Sequence, residues 1–219
     1  IQPLFAKMVL PLLGGSPQVW NTAMVFFQAV LLAGYAYAHW LTRALAPLAQ
    51  MGLHAGVLAL AALFLPLAVA AGWEPDPAGA PVVWLLALLG ASIGLPFFAV
   101  SATAPLLQRW FSRTGHAHAH DPYFLYGASN LGSVIALLGY PLLLEPSLSG
   151  QAQSLAWTLG YGLLAVLVLT AGLRMLGGER QQEAAPETVA VSWGQRGSWT
   201  IYSAVPSALL LGVTAHIST

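Results

Sequence analysis

The sequence predicts an all-α, polytopic transmembrane helical bundle, on three observations. First, the 219 residues include only seven Lys or Arg and seven Asp or Glu. These fall in the gaps between six charge-free runs, 8–42, 44–73, 77–108, 122–144, 146–173 and 197–219, each at least 23 residues long. Roughly 20 apolar residues suffice to cross the hydrocarbon core of a bilayer as a helix. Second, hydrophobic residues make up 58% of the chain and the mean hydropathy is +0.72, whereas a water-soluble domain of this size needs a far more charged surface. Third, the runs are too long for strands and lack a two-residue alternation.

The elements follow in order. The tail of a first helix covers about 1–13, and further spans are expected at 18–42, 50–72, 81–108, 122–144 and 153–176, with a seventh opening near 199. Ser16-Pro17 and Asp121-Pro122 each set a capping residue before a proline at the first helical position, where the missing N–H costs nothing. Pro81 does the same after Gly79-Ala80. The connectors are short, as packed helix hairpins require, except for the polar, mixed-charge stretch 177–198. Three segments result: a six-helix unit over 1–176, a polar linker over 177–198, and the start of a seventh helix over 199–219. The chain opens on Ile1 and stops at Thr219 inside an apolar run, and so reads as a fragment of a longer polytopic protein.

Charge placement orients the bundle. With the 43–49, 109–121 and 177–198 connectors in the cytoplasm, that side holds Arg43, Arg109, Arg113, Arg174, Arg180 and Arg196, against Lys7 outside. The Lys/Arg bias is what sets orientation. Lys7, Glu74, Asp76 and Glu145 then share the opposite side. Gly52 with Gly56, Gly90 with Gly94, and Ala128 with Gly132 and Ala136 form small-residue faces of the kind that lets helices approach closely in lipid.

An internal echo pairs helices 1–3 with helices 4–6. Pro17, Gly34 and Tyr35 match Pro122, Gly139 and Tyr140 at an offset of 105, and Lys7 matches Arg109 at 102. Three helices per unit invert the second copy, giving the inverted 3+3 plan recurrent in secondary transporters. The echo aligns a polar stripe of Asn21, Gln28 and Tyr35 with one of Tyr126, Asn130, Ser133 and Tyr140. Such stripes face protein or water rather than lipid, so they either bond helices together or line a substrate path.

Chemistry-bearing residues are few. Lys7 is either an intramembrane functional cation or a lysine snorkelling to the headgroups. His116, His118 and His120 form a His-rich tract, a weak candidate for metal. His39, His54 and His216 are isolated, and His216 lies among Thr214, Ser218 and Thr219. Cysteine is absent, which excludes thiolate and disulfide chemistry within these residues, and zero net charge offers no electrostatic case for nucleic acid. No positioned acid, base or nucleophile is evident: Gly160-Tyr161-Gly162 lies in an apolar run, and Asp121 and Glu145 flank their helix at opposite ends. No catalytic site and no cofactor are expected.

Three stretches, PLFAKMVLPLLGGSPQVWNTAMVFFQAVLLAGYAYAH (3–39), DPYFLYGASNLGSVIALLGYPLLLEP (121–146) and VPSALLLGVTAHIST (205–219), resemble the fused major-facilitator/spermidine-synthase-type membrane proteins of bacteria. The resemblance implies the N-terminal half of a major-facilitator-like bundle in the bacterial inner membrane. In some members a cytoplasmic aminopropyltransferase-like or methyltransferase-like domain follows. It implies a small-molecule, polyamine-related transporter-like function or, alternatively, a non-transporting membrane anchor of the fused enzyme. By the same resemblance helices 1, 4 and 7 line the central path, to which Lys7, Ser101, Thr103, Gln108 and His216 contribute polar groups. The expected partners are the bilayer, the remainder of the chain and the fused domain. Two features depart from the pattern. The connector TRALAPLAQMG has Arg43 but no acid, and TGHAHAH (114–120) is local variation.

Overall fold

A computed structural model describes residues 2–13, 16–69, 73, 80–114, 116, 118–119, 123–177 and 192–217. Every regular element among them is helical. In chain order these are α1 (Gln2–Leu13), α2 (Pro17–Ala44), α3 (Pro47–Ala62), α4 (Pro81–Phe111), α5 (Tyr123–Gly139, continuing through Tyr140–Leu144 to Glu145–Ser147), α6 (Gly150–Gly177) and α7 (Trp193–Ile217). Four helices are long and apolar enough to cross a membrane: α2, α4, α5 and α6.

The helix starts expected at Pro17 and Pro81 are present, the first with a side-chain cap and the second without, and Asp121-Pro122 lies outside the described residues. Ser16 is extended, its Oγ accepts from the Val19 N–H, and Pro17 opens α2. Ala46 and Ala80, extended as residues before proline must be, precede Pro47 and Pro81 at the first positions of α3 and α4. The α2–α3 connector is therefore only Leu45-Ala46, shorter than the expected 43–49. Gln50 Nε2 fastens it by donating to Leu45 O at 2.7 Å.

The third span is the main departure from the expected boundaries. A helix over 50–72 is expected; α3 runs from Pro47 to Ala62 and stops. Pro66 accounts for the stop, because it supplies no N–H and its ring crowds the carbonyl one turn back. At 1.5 Å per residue the 16-residue helix reaches about 24 Å, short of a hydrocarbon core of about 30 Å. The following residues, 63–69, are irregular chain, and Leu67 is buried within it.

Both of the longest interruptions in helical winding adjoin prolines. α4 widens into a π turn at Gly90–Gly94, two residues before Pro96, and α5 does so at Tyr140–Leu144, which contains Pro141. A π turn absorbs the carbonyl–ring conflict without ending the helix.

α4 is the central element of the first compact unit, which covers Ile1–Gln181. Toward its start, Leu85, Leu88, Leu89 and Ile93 pack with Leu4, Phe5 and Val9 of α1 and with Phe26 and Phe27 of α2. Toward its end, Ala99, Leu106 and Trp110 pack with Ala38 and Leu41 of α2, Leu58 and Ala61 of α3, and Tyr161 and Val168 of α6. The close backbone approaches lie at Gly34 and Gly172. A Cβ on Gly34 would stand 2.9 Å from Ser101 Cβ and 3.1 Å from the Ala102 nitrogen of α4, and one on Gly172 would stand 2.8 Å from Met51 Sδ. The small-residue faces expected from spacing behave otherwise: Gly52, Gly56, Gly90 and Gly132 have nothing within 4 Å of an added Cβ, and Gly94 meets only ordinary contacts.

The second compact unit, Gln182–Thr219, contains α7. This helix begins at Trp193, ahead of the expected start near 199. A reciprocal cap explains the earlier start: Gln195 N donates to Ser192 Oγ and Ser192 N donates to Gln195 Oε1. The Arg196 guanidinium lies 5.0 Å over the Trp193 ring.

Candidate functional site

Within the first unit, α5 stands away from α4 and α6 along much of its length, leaving a cleft of about 670 Å³. α1 supplies Gln2, Pro3 and Leu4, α4 supplies Phe97 and Val100, and α5 supplies Ser133, Ala136, Leu137, Tyr140 and Leu144. The α6 face carries Gln153, Ala156, Trp157, Gly160, Tyr161 and Leu164, at the spacing of one helical stripe. The Trp157 and Tyr161 rings lie 5.5 Å apart on this wall. Over its membrane-length window α5 buries no residue against the rest of the chain, so the cleft has one thin wall.

Four polar side chains on the cleft, those of Ser133, Tyr140, Gln153 and Tyr161, are tied to protein. Tyr140 Oη donates to Gln153 Oε1 at 3.0 Å, and Gln153 Nε2 donates to Leu148 O at 2.9 Å. Tyr161 Oη donates to Leu58 O at 2.9 Å, and Ser133 Oγ to Ser129 O at 3.0 Å. At one end the Lys7 ammonium donates to Glu145 Oε1 at 3.0 Å. Glu145 directly follows the lining residue Leu144, and Lys7 lies one turn beyond Leu4.

A second polar group lies in the core between α2, α3 and α4. His54 Nε2 is 3.1 Å from Thr103 Oγ1, and that hydroxyl donates to Ala99 O at 2.8 Å. Trp110 Nε1 donates to Gln50 Oε1 at 2.9 Å. His54 and Gln50 are fully buried, and the Tyr37 ring lies 6.0 Å from the His54 ring. Among the described residues Tyr37 Oη and His54 Nδ1 have no hydrogen-bond partner.

The candidates expected from sequence divide among several places. Ser133 lines the cleft, as does Tyr140, the counterpart of Tyr35. Asn21, Gln28 and Tyr35 lie exposed on α2, and Tyr126 and Asn130 lie exposed on α5; none of the five lines the cleft. Gln108 is half-buried near the end of α4, and Ser101, buried in α4, donates to Phe97 O. Thr103 faces His54 rather than an open path. His216 belongs to α7 by its backbone, and its side chain lies outside the described residues. Lys7 is about half exposed and ion-paired.

The histidine tract forms aromatic contacts. His116 stacks 5.4 Å from Phe111, His118 lies 5.6 Å from His116, and His116 Nδ1 accepts from the His118 N–H. His120 lies outside the described residues. Among the described residues no group of three His, Cys, Asp or Glu is arranged to hold a metal.

Gln153, Trp157 and Tyr161 lie outside the candidates expected from sequence, although their four-residue spacing on a charge-free run is a signal for one helix face. Gln50 and His54 share the same spacing on α3. No protein-family model matches this chain, and no curated protein or solved structure matches it either.

Proposed function

We propose that this chain is a transporter-like integral membrane domain whose substrate path includes the cleft between α1, α4, α5 and α6. The observation that carries the reading is the cleft itself. About 670 Å³ of space opens between helices of membrane-spanning length, at a volume typical of small-molecule sites. On this reading the chain is half of a major-facilitator-like bundle with inverted three-helix repeats. It sits in a bacterial inner membrane with its basic connectors cytoplasmic, and works against a second half supplied by the remainder of the protein.

The alternative, a non-transporting anchor or regulatory domain for a fused aminopropyltransferase-like enzyme, draws on a separate observation. Asn21, Gln28, Tyr35 and Asn130 lie on outward surfaces and do not share the cleft with Ser133. Exposed polar groups on membrane-length helices suit contacts with another part of the protein.

The two readings differ in motion. A transporting domain must populate two arrangements of its cleft. The 219 residues contain no cysteine, so Ser133→Cys and Gly160→Cys together place spin labels on the α5 and α6 walls with no native thiol to remove from this region. In the full-length protein in a bilayer, pulsed electron-spin distances should fall into two populations. A single distribution, identical in bilayer and detergent, returns the chain to the anchor reading.

A further inference from the structure

Most of the donors around the cleft are already engaged, the amide of Gln2 and the indole N–H of Trp157 being the exceptions. The hydroxyls of Ser133, Tyr140 and Tyr161 and the amide of Gln153 all donate to protein oxygens, and the Gln153 side chain is itself almost wholly buried. A hydrophilic solute entering this space would give up water for few matching bonds, which carries a desolvation cost. A hydrocarbon chain gives up nothing and gains the apolar walls. A polycation of the polyamine type meets no carboxylate among the lining residues, and at the cleft's end it meets Glu145 only beside the like charge of Lys7. That ion pair is only half covered, with 49% of the lysine and 44% of the glutamate side chain exposed. It presents one cation and one anion beside the apolar cleft, which complements a headgroup carrying a phosphate next to an ammonium.

We infer that the cleft holds an acyl chain of a zwitterionic phospholipid, with the phosphate toward Lys7 and the ammonium toward Glu145. The inference rests on the cleft being the functional site, as in the reading above, but not on transport. One spin-label population together with cleft-specific lipid labelling would sink transport alone. Two populations without such labelling would sink the lipid alone.

The test uses the full-length protein in phosphatidylcholine nanodiscs containing phosphatidylcholine with a diazirine in mid-chain. Irradiation and peptide mass spectrometry should place adducts on the cleft walls around Val100, Ala156 and Leu164, in excess of those on Leu159 and Leu163, which are exposed but do not line the cleft. Gly160→Trp should abolish that excess, because a side chain at Gly160 enters the cleft with nothing within 4 Å of its Cβ. Leu159→Trp should leave it unchanged. Lys7→Gln combined with Glu145→Gln should weaken phosphatidylcholine labelling but not labelling by a fatty acid bearing the same diazirine. Unchanged elution and helical circular dichroism establish that the variants are folded. Equal labelling of cleft and outer faces, insensitivity to Gly160→Trp, preference for the free fatty acid, or protection by excess spermidine would each overturn the inference.

Discussion

The Lys7 ammonium and the Glu145 carboxylate meet at 3.0 Å across 138 residues of sequence, tying the first helix to the far end of the fifth. Charge counting alone assigns both residues to the same side of the bundle, which allows the contact without requiring it. Both side chains are about half exposed, so water and salt screen the pair and its energetic value is small. A double-mutant cycle of Lys7→Gln and Glu145→Gln, read by thermal unfolding in detergent, should give a coupling below about 1 kcal/mol that shrinks as salt is added. A coupling of several kcal/mol, insensitive to salt, would show a pair far more desolvated than this geometry.

Gly34 is the residue that lets α2 lie against α4. A methyl group there would meet the Ala102 nitrogen at 3.1 Å and the Phe98 carbonyl oxygen at 3.3 Å, and backbone atoms cannot swing aside. Gly34→Ala should therefore destabilise the fold by about 1–3 kcal/mol, the usual cost of overpacking. Gly56→Ala, on an open face of α3, should be neutral or slightly stabilising through helix propensity. Equal melting temperatures for the two variants would contradict the α2–α4 packing.

Gln50 acts as a clasp between the α2–α3 connector and the end of α4. Its amide donates to Leu45 O and its carbonyl accepts from the Trp110 indole. Gln50→Leu keeps the bulk and leaves both Trp110 Nε1 and Leu45 O without these partners in a buried setting. Each orphaned group costs about 1–3 kcal/mol. The variant should lose stability while Trp110→Phe in the same background costs little more, since the indole no longer has a bond to lose. Full additivity of the two substitutions would mean that the bond does not form.

These contacts also mark what sequence reading could reach. Helix identity is legible because the fourteen charges avoid the apolar runs, and the start of α2 is legible because Ser16-Pro17 carries a local cap. The early end of α3 had a local signal in Pro66, outweighed by the apolar run that continues past it. The cleft and the buried polar group were harder to see. Gln50 reaches Trp110 across 60 residues, and Tyr161 reaches Leu58 across 103. Spacing shows which residues share a face of one helix, but not which helix that face meets. The exposed stripe on α2 illustrates the same limit, because Asn21 and Gln28 are placed on one side by periodicity while their surroundings depend on tertiary packing.

The tautomer of neutral His54 follows from its neighbour. Thr103 Oγ1 has one proton, and it is directed to Ala99 O at 2.8 Å. In the contact with His54 Nε2 at 3.1 Å the hydroxyl must then accept, so in the neutral ring Nε2 carries the proton and Nδ1 is left as a bare acceptor. Nitrogen NMR of the full-length protein labelled on histidine should therefore show one ring in the Nε2–H tautomer. Assignment by His54→Gln removes that signal. Thr103→Val should release the preference, shifting the ring toward a mixture of tautomers, and should cost about 1–3 kcal/mol because a buried N–H loses its acceptor. Thr103→Ser keeps the hydroxyl and should preserve the tautomer, which separates the hydrogen bond from the packing of the threonine methyl group. A His54 signal with its proton on Nδ1 in the unmodified protein would reverse the donor and acceptor roles and require the Thr103 hydroxyl to turn away from Ala99.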